Sequence, residues 1–311
     1  MTIIPPFLKN SDSVGILSPA GYIRYHDLLP GLAWLRDSCK FYIIEGDALT
    51  AVNGQFAGSD DMRLADLQAM LDNPEIKAIF MARGGYGCSR IIDRVDWTTF
   101  RKHPKWLIGF SDITVLLSQI YQEGYASIHG PMIRHLMQEG GEKAVESLYQ
   151  LLSGQAIEYT LPSHHFNQAG TAEGELLGGN LCLFTHLIGS ASQPATRGKI
   201  LFLEDVGEYY YNLDRMVIQM KRAGLFDQLA GLIIGQFSEM KDISSSDFGM
   251  TAWEIIQHHT KEFSYPKVFD FPVGHVPDNR ALPVGVPAKL QVSPSQTSLS
   301  ITFQPHQPLL Q

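Results

Sequence analysis

WLIGFSDITVLLSQIY, residues 106–121, is the stretch whose reading decides the fold class. Trp106 to Phe110 is an unbroken apolar run, short enough for a strand covered on both faces. Ser111 to Tyr121 then changes to a helical pattern that Gly124 closes. The same succession occurs upstream. Ser13 to Leu17 (SVGIL) ends in the turn cluster Ser18-Pro19-Ala20-Gly21, and His26 to Cys39 carries Leu28, Leu29, Leu32 and Leu35 along one side. Ser59 precedes Asp60 and Asp61, which is a cap followed by an acidic first turn. Leu64, Leu67, Met70 and Leu71 supply that helix's apolar face before Asn73-Pro74 stops it. Ala78 to Ala82 (AIFMA) is another buried strand, leading into the loop Arg83-Gly84-Gly85-Tyr86-Gly87 and a helix around Ser89 to Val95. Apolar strands alternating with helices imply an α/β fold with a parallel sheet.

The character changes after a helix at Glu142 to Leu152. Ser163 to Gly170 is polar and loop-like, so two domains are expected, residues 1–160 and residues 171–311. The second contains a strand at Lys199 to Leu203, a helix at Leu213 to Ala223 closed by Gly224, and a strand at Leu232 to Phe237. Ala288 to Phe303 alternates apolar and polar residues about Ser293-Pro294-Ser295, a hairpin signal. This half reads as α+β with antiparallel pieces. No internal repeat or low-complexity tract interrupts the chain.

A chain of 311 residues with 44% hydrophobic and 18% charged residues can bury a sizeable core. Its formal net charge of -8, without a dense Lys/Arg stripe, argues against nucleic acid as a partner. Cys39, Cys88 and Cys182 are odd in number and widely spaced, which suits a reducing compartment rather than a disulfide framework. MTIIPPFLKNSDSVGIL lacks the basic and apolar regions of a signal peptide, and no later apolar run approaches the ~20 residues that span a bilayer. The expectation is a cytoplasmic protein with no membrane partner.

In open parallel sheets, functional groups gather beyond the carboxyl ends of the strands. RGGYG, residues 83–87, occupies such a position. It is neither a dinucleotide fingerprint, because Arg90 stands where the last glycine belongs, nor a P-loop. A tight turn and a ligand loop both remain open for it. In Gly109-Phe110-Ser111-Asp112-Ile113 a strand runs into a helix with a serine at the corner, the arrangement of a nucleophile elbow without its second glycine. The alternative is a serine that merely caps the helix, with Asp112 in its first turn. Among 11 histidines, His164-His165 and His258-His259 are adjacent pairs that make poor joint metal sites, and no HExxH occurs. His275 lies in a Pro-Val-Gly-His loop after an apolar strand, and Glu204 closes the strand ILFL. The three occur in the order Ser, Glu, His found in α/β-hydrolases.

Here the sequence resembles the LD-carboxypeptidase (muramoyl-tetrapeptide carboxypeptidase) family of serine peptidases. The resemblance runs through Ser18-Pro19-Ala20, ARGGYGCSRII from Ala82, IGFSDIT from Ile108, HGPM from His129, GELLGGNL from Gly174, LFLEDVGE from Leu201 and GHVPDNRALPVG from Gly274. It implies a flavodoxin-like first domain and a second with a β-rich core, with a site assembled between them. It implies Ser111 as nucleophile, Glu204 as acid and His275 as base, with no metal or cofactor. The backbone N–H groups of Asp112 and Gly85 are the expected oxyanion donors, and Arg83, Gly84 and Tyr86 the expected substrate contacts. The implied reaction releases terminal D-alanine from a cytoplasmic murein tetrapeptide during peptidoglycan recycling, with a homodimer as one option for assembly. One departure is Tyr209-Tyr210-Tyr211-Asn212, where many relatives have a Pro-Tyr-Arg-like segment. Two other readings stand beside this one: a microcin-immunity-type peptidase acting on a peptidyl or aminoacyl nucleotide, and a catalytically silent binding protein with the same cleft.

Overall fold

The computed structural model describes residues 2–243 and 246–303. Five parallel strands form the first sheet: β1 (Ser13–Leu17), β2 (Tyr42–Glu45), β3 (Ile76–Met81), β4 (Trp106–Gly109) and β5 (Ser127–His129). They lie in the order 2-1-3-4-5, the flavodoxin-like arrangement. β1, β3, β4 and β5 are almost wholly buried, as expected of strands sandwiched between helices. The edge strand β2 is largely exposed and carries Tyr42 and Glu45.

The second sheet comprises β6 (Ile157–Pro162), β7 (Gly170–Asn180), β8 (Ile200–Val206), β9 (Gly231–Ser238), β10 (Lys267–Val268), and two strands near the end of the chain. Between β10 and those two, β11 (Leu282–Val284) leaves this sheet and pairs antiparallel with β5 at the edge of the first. β12 (Pro287–Val292) and β13 (Gln296–Ile301) form the hairpin about Ser293, closed by the Ser293 N–H on the Gln296 carbonyl at 2.9 Å. The order β10-β9-β8-β7-β12-β13-β6 is parallel from β10 to β7 and antiparallel beyond.

Eight α-helices connect the strands: α1 (Leu29–Ala33), α2 (Asp60–Asp72), α3 (Thr98–Lys102), α4 (Thr114–Gln122), α5 (Glu142–Leu152), α6 (Leu181–His186), α7 (Tyr210–Arg222) and α8 (Ala252–Thr260), counted among the described residues. The Ser59 hydroxyl accepts the Met62 N–H at 3.2 Å, so it caps α2 as its sequence signal indicates. The expected helix at Ser89 to Val95 is instead two separate 3-10 turns, Cys88–Arg90 and Ile92–Arg94. The strand expected before His275, over Val268 to Phe271, is instead the two residues Lys267–Val268. The two sheets meet where α4 faces β7. A methyl group on Gly179 would lie 2.6 Å from Thr114 Oγ1, and the Asn180 N–H donates to that same oxygen at 3.1 Å. Glycine is therefore required for this approach.

Candidate active site

β4 ends at Gly109, where any side chain would strike Ile113 at 2.9 Å, and this lets the chain turn sharply. Phe110 is fully extended (φ -150°, ψ -172°), and Ser111 then takes φ +64°. A serine in that left-handed region costs about 1–2 kcal/mol relative to an ordinary conformation, and such strain gathers at functional sites. Ser111 is not a cap residue: the turn Ser111–Ile113 has Phe110 at its N-cap and α4 has Ile113, neither of which offers a side-chain cap. Capping thus does not account for the serine. It is half-buried between Phe110 and Asp112, which are both buried.

The loop after β3 closes over this corner. A methyl on Gly84 would lie 3.1 Å from Ser111 Cβ and 3.2 Å from its Oγ, so the loop backbone runs directly beside the serine. Gly85 (φ +106°) packs on Gly21, whose N–H donates to the Gly84 carbonyl at 2.9 Å. The buried Asp112 carboxylate accepts the Cys88 N–H at 2.8 Å, tying the loop's far end to the Ser111 turn. Beneath it lies Arg63, wholly buried, which donates to the Pro19 carbonyl at 2.8 Å and pairs with Asp60. A methyl on Gly87 (φ +152°) would fall 2.1 Å from Arg63 Nη1. Sequence reasoning missed both roles. The Asp112 side chain reads from sequence as a first-turn acid beside a backbone oxyanion donor, and Arg63 carries no signal beyond its place among the leucines of α2. Of the expected substrate contacts, Gly84 touches Ser111, Arg83 donates to the Tyr22 carbonyl at 2.7 Å, and Tyr86 stands exposed against Phe56 with ring centroids 5.7 Å apart.

Glu204 comes from β8, at a point where the pairing with β9 is irregular. Leu203 faces Ile234 and Asp205 faces Phe237, so Glu204 alone opposes Gly235 and Gln236. Bulges of this kind re-aim side chains near active sites. The Glu204 side chain is wholly buried, and its Oε2 lies 2.7 Å from His275 Nδ1. The other oxygen, Oε1, has no hydrogen-bond partner among the described residues. Gly274 (φ +130°) makes the pair possible, since a methyl there would sit 2.9 Å from Glu204 Cβ. The Gly274 N–H is held by Asn279 Oδ1 at 2.9 Å, and the His275 carbonyl accepts from Ser238 Oγ at 3.3 Å. With Nδ1 on Glu204, the imidazole's Nε2 is left for other work, and its ring packs on Phe110, the residue before Ser111, at 4.8 Å.

Burial pulls the His275 pKa down, but the charge and hydrogen bond of Glu204, aided by Asp205 and Glu239, outweigh it and hold the value above the usual imidazole range. Two other histidines sit on Phe110 with opposite properties. His129 is wholly buried, both ring nitrogens lack hydrogen-bond partners among the described residues, and burial pushes its pKa down to about 4. His135 is pushed down to about 3 by burial and then by the neighbouring Arg134. Among the described residues neither ring is hydrogen-bonded to a carboxylate, so His275 is the histidine suited to proton transfer. Among the described residues no group of His, Cys, Asp and Glu could hold a metal ion.

Residues 14–130 match the family model described as the LD-carboxypeptidase N-terminal domain, and residues 173–290 match that of the LD-carboxypeptidase C-terminal domain. The chain is 33% identical over 93% of its length to a probable murein peptide carboxypeptidase of Bacillus subtilis, covering 92% of that protein. It is 34% identical to the murein tetrapeptide carboxypeptidase of Pseudomonas aeruginosa over 76% of this chain and 79% of the relative. Among solved structures, it aligns with the muramoyltetrapeptide carboxypeptidase from Oxalobacter formigenes at a TM-score of 0.84 and 27% identity, covering 94% of this chain and 100% of the other. It also aligns with the protein MccF bound to glutamyl sulfamoyl guanosine at a TM-score of 0.86, covering 96% of this chain and 98% of the other, though at 22% identity that likeness speaks for the fold alone.

Proposed function

This chain belongs to the LD-carboxypeptidase family and is a hydrolase of the peptidase class, and from that premise we propose that it removes terminal D-alanine from murein tetrapeptides in the cytoplasm, as a step of peptidoglycan recycling. Support comes above all from one observation: the Glu204–His275 pair, at 2.7 Å, is packed through Phe110 against the turn that strains Ser111 to φ +64°. No helix among the described residues is long and apolar enough to cross a membrane.

In this reading Ser111 Oγ attacks the carbonyl carbon of the LD amide while His275 Nε2 takes its proton. The new C–O bond gives a tetrahedral oxyanion, held by the backbone N–H groups of Asp112 and Gly85, each worth on the order of 10²–10³ in rate. The C–N bond breaks as His275 returns the proton to the leaving D-alanine amine. Water then attacks the acyl-enzyme, His275 accepts its proton, and Ser111 recovers that proton as the shortened peptide leaves. Glu204 keeps the imidazole in the required tautomer and stabilises its cation. Arg83, Gly84 and Tyr86 are the proposed peptide contacts.

The deciding experiment is mass spectrometry of purified murein tetrapeptide incubated with the enzyme. The expected product has lost one alanine, and Ser111→Ala yields none. Release of an amino acid from a peptidyl or aminoacyl nucleotide, with the tetrapeptide left intact, would replace this reading by the microcin-immunity type. Failure of both substrates, with no covalent labelling of Ser111 by a serine-directed phosphonate, would leave a silent binding protein.

A further inference from the structure

Arg63 stands in the first turn of α2, three residues after Asp60, with its side chain wholly buried. Burying a guanidinium costs about as much in desolvation as its ion pair returns, so stability alone is a weak reason for it. Its surroundings suggest another. Nη1 donates to the Pro19 carbonyl at 2.8 Å, in the turn after β1. Nη2 pairs with Asp60, which the exposed Arg90 also engages at 2.7 Å. The guanidinium lies over the Phe56 ring, 4.9 Å from its centroid. Gly87, in the loop after β3, comes so close that a methyl there would fall 2.1 Å from Nη1 and 2.9 Å from Ala20 Cα.

From this side chain two short routes lead to the proposed oxyanion donors. On the first, the Gly21 N–H, two residues beyond Pro19, donates to the Gly84 carbonyl at 2.9 Å. That carbonyl and the Gly85 N–H belong to one planar peptide group and point in opposite directions. Holding the carbonyl on Gly21 therefore aims the Gly85 N–H the other way. Without a side chain on either glycine, little else would stop this peptide from turning over. The second route runs through Gly87 to Asp112, whose backbone N–H is the other proposed donor. Its carboxylate accepts the Cys88 N–H at 2.8 Å. Burial raises this carboxyl above its usual range, while the Cys88 N–H and thiol, the charge of Arg63 and the Gly87 N–H oppose the rise.

We propose that Arg63 is a positioning residue for the oxyanion hole: by holding the Pro19–Gly21 turn against the Gly87 end of the loop after β3, it sets the direction of the Gly85 N–H. This rests on the carboxypeptidase reading above. Loss of Arg63 then weakens the tetrahedral state and spares the bound peptide.

The test compares two ligands. One is the product tripeptide, and the other is the same tripeptide with its terminal carboxyl replaced by an aldehyde. Ser111 Oγ adds to the aldehyde carbon, its proton passes to His275, and the former carbonyl oxygen takes the negative charge. In Arg63→Met, aldehyde affinity and kcat on tetrapeptide should both fall by about 10²-fold, the scale of one lost oxyanion donor. Tripeptide affinity and KM should stay within about twofold, because ground-state binding is untouched. Arg63→Lys keeps the charge without the forked reach and should lose about tenfold in kcat; it carries the same comparison if Arg63→Met does not fold. Arg90→Met removes the other arginine on Asp60 and Phe56, and should leave kcat within about twofold. A folded Arg63→Met with wild-type kcat would overturn the inference. Equal losses of aldehyde and tripeptide affinity, or an equal loss of kcat in Arg90→Met, would also overturn it and leave Arg63 as a prop of the fold. Wild-type enzyme that neither binds the aldehyde nor cleaves tetrapeptide would overturn the carboxypeptidase reading, and the inference with it.

Discussion

The rings of Phe110 and His275 meet edge to face with their centroids 4.8 Å apart, although one follows β4 in the first sheet and the other follows β10 in the second. That contact bridges the two sheets at the point where a nucleophile and its base would have to cooperate. Replacing Phe110 by leucine keeps an apolar side chain but removes the flat wall. Phe110→Leu is expected to lower kcat about tenfold with little change in KM, because a small displacement of a catalytic group is felt in the transition state. The stability loss should be about 1 kcal/mol. Steady-state kinetics beside a urea titration would check this, and an unchanged kcat would show that Phe110 only fills space.

Ser111 holds φ +64°, a conformation that glycine adopts without penalty. Ser111→Gly should therefore raise stability by about 1 kcal/mol, offset in part by the looser unfolded chain, while abolishing turnover. Ser111→Ala should also lose turnover, yet stay close to wild type in melting temperature, because Ser111 occupies neither cap position. A fall in melting temperature for the glycine variant would refute the strain.

The pH dependence follows from the direction of two shifts. In the proposed mechanism His275 acts as a base only when neutral, so kcat/KM should rise with pH through a pKa above the usual imidazole value. Burial lowers that pKa, and Glu204 more than offsets it. Glu204→Gln leaves the burial and removes the charge, so the rising limb should move to lower pH while kcat falls by about 10²–10⁴. For stability, a folded pKa raised above the unfolded one means that the proton stabilises the fold. This contribution is complete below the unfolded pKa and is lost as pH rises through the folded one. Asp205, pushed up to about 7 by burial and by the charge of Glu204, has the same sign. His129 and His135, held down to about 4 and about 3, have the opposite sign and stabilise the fold increasingly as pH rises towards the unfolded imidazole value. Melting temperature should therefore rise from about pH 4 to about pH 6.5 and decline above it, less steeply in Glu204→Gln. A rate profile whose limb moves upward in that variant would exclude His275 as the base.

Lys105 is wholly buried at the foot of β4, and its ammonium donates to the carbonyls of Met70, Leu71 and Asn73 at 2.9, 2.9 and 2.5 Å. These lie at the C-terminus of α2, where carbonyls lack helical partners and a cation is favourable. Lys105→Met should destabilise the protein by about 1–3 kcal/mol without changing kcat. Denaturant titration and initial rates would check it, and unaltered stability would mean that water replaces the ammonium.

Much of this architecture can be read from the chain because its signals are local. SVGIL, AIFMA and WLIGF are apolar runs too short for helices, and Ser59 with Asp60 and Asp61 declares the start of α2. β5 and β11 escaped because three residues each cannot display a period, and their pairing depends on a partner far along the chain. β2 escaped as an exposed edge without alternation. α8 had a readable signal that was passed over, the capping box formed by Thr251 and Glu254. In the site, Ser111, Glu204 and His275 stood out because each ends an apolar run or follows one. The clamp of Asp112 on Cys88 and the fit of Arg63 under Gly87 depend on three-dimensional proximity alone.

β6 precedes the loop at residues 163–169 yet pairs with β13, while β11 follows the loop yet pairs with β5. Each side of the loop therefore owns the border strand of the opposite side's sheet. Cleaving the backbone there would not yield two free-standing halves. It would give complementary fragments locked by reciprocal strand exchange, purifying together until denatured. Either fragment produced alone would carry a bare row of backbone donors and acceptors, an invitation to self-association. The strand exchange thus makes the two halves partners in one folding unit.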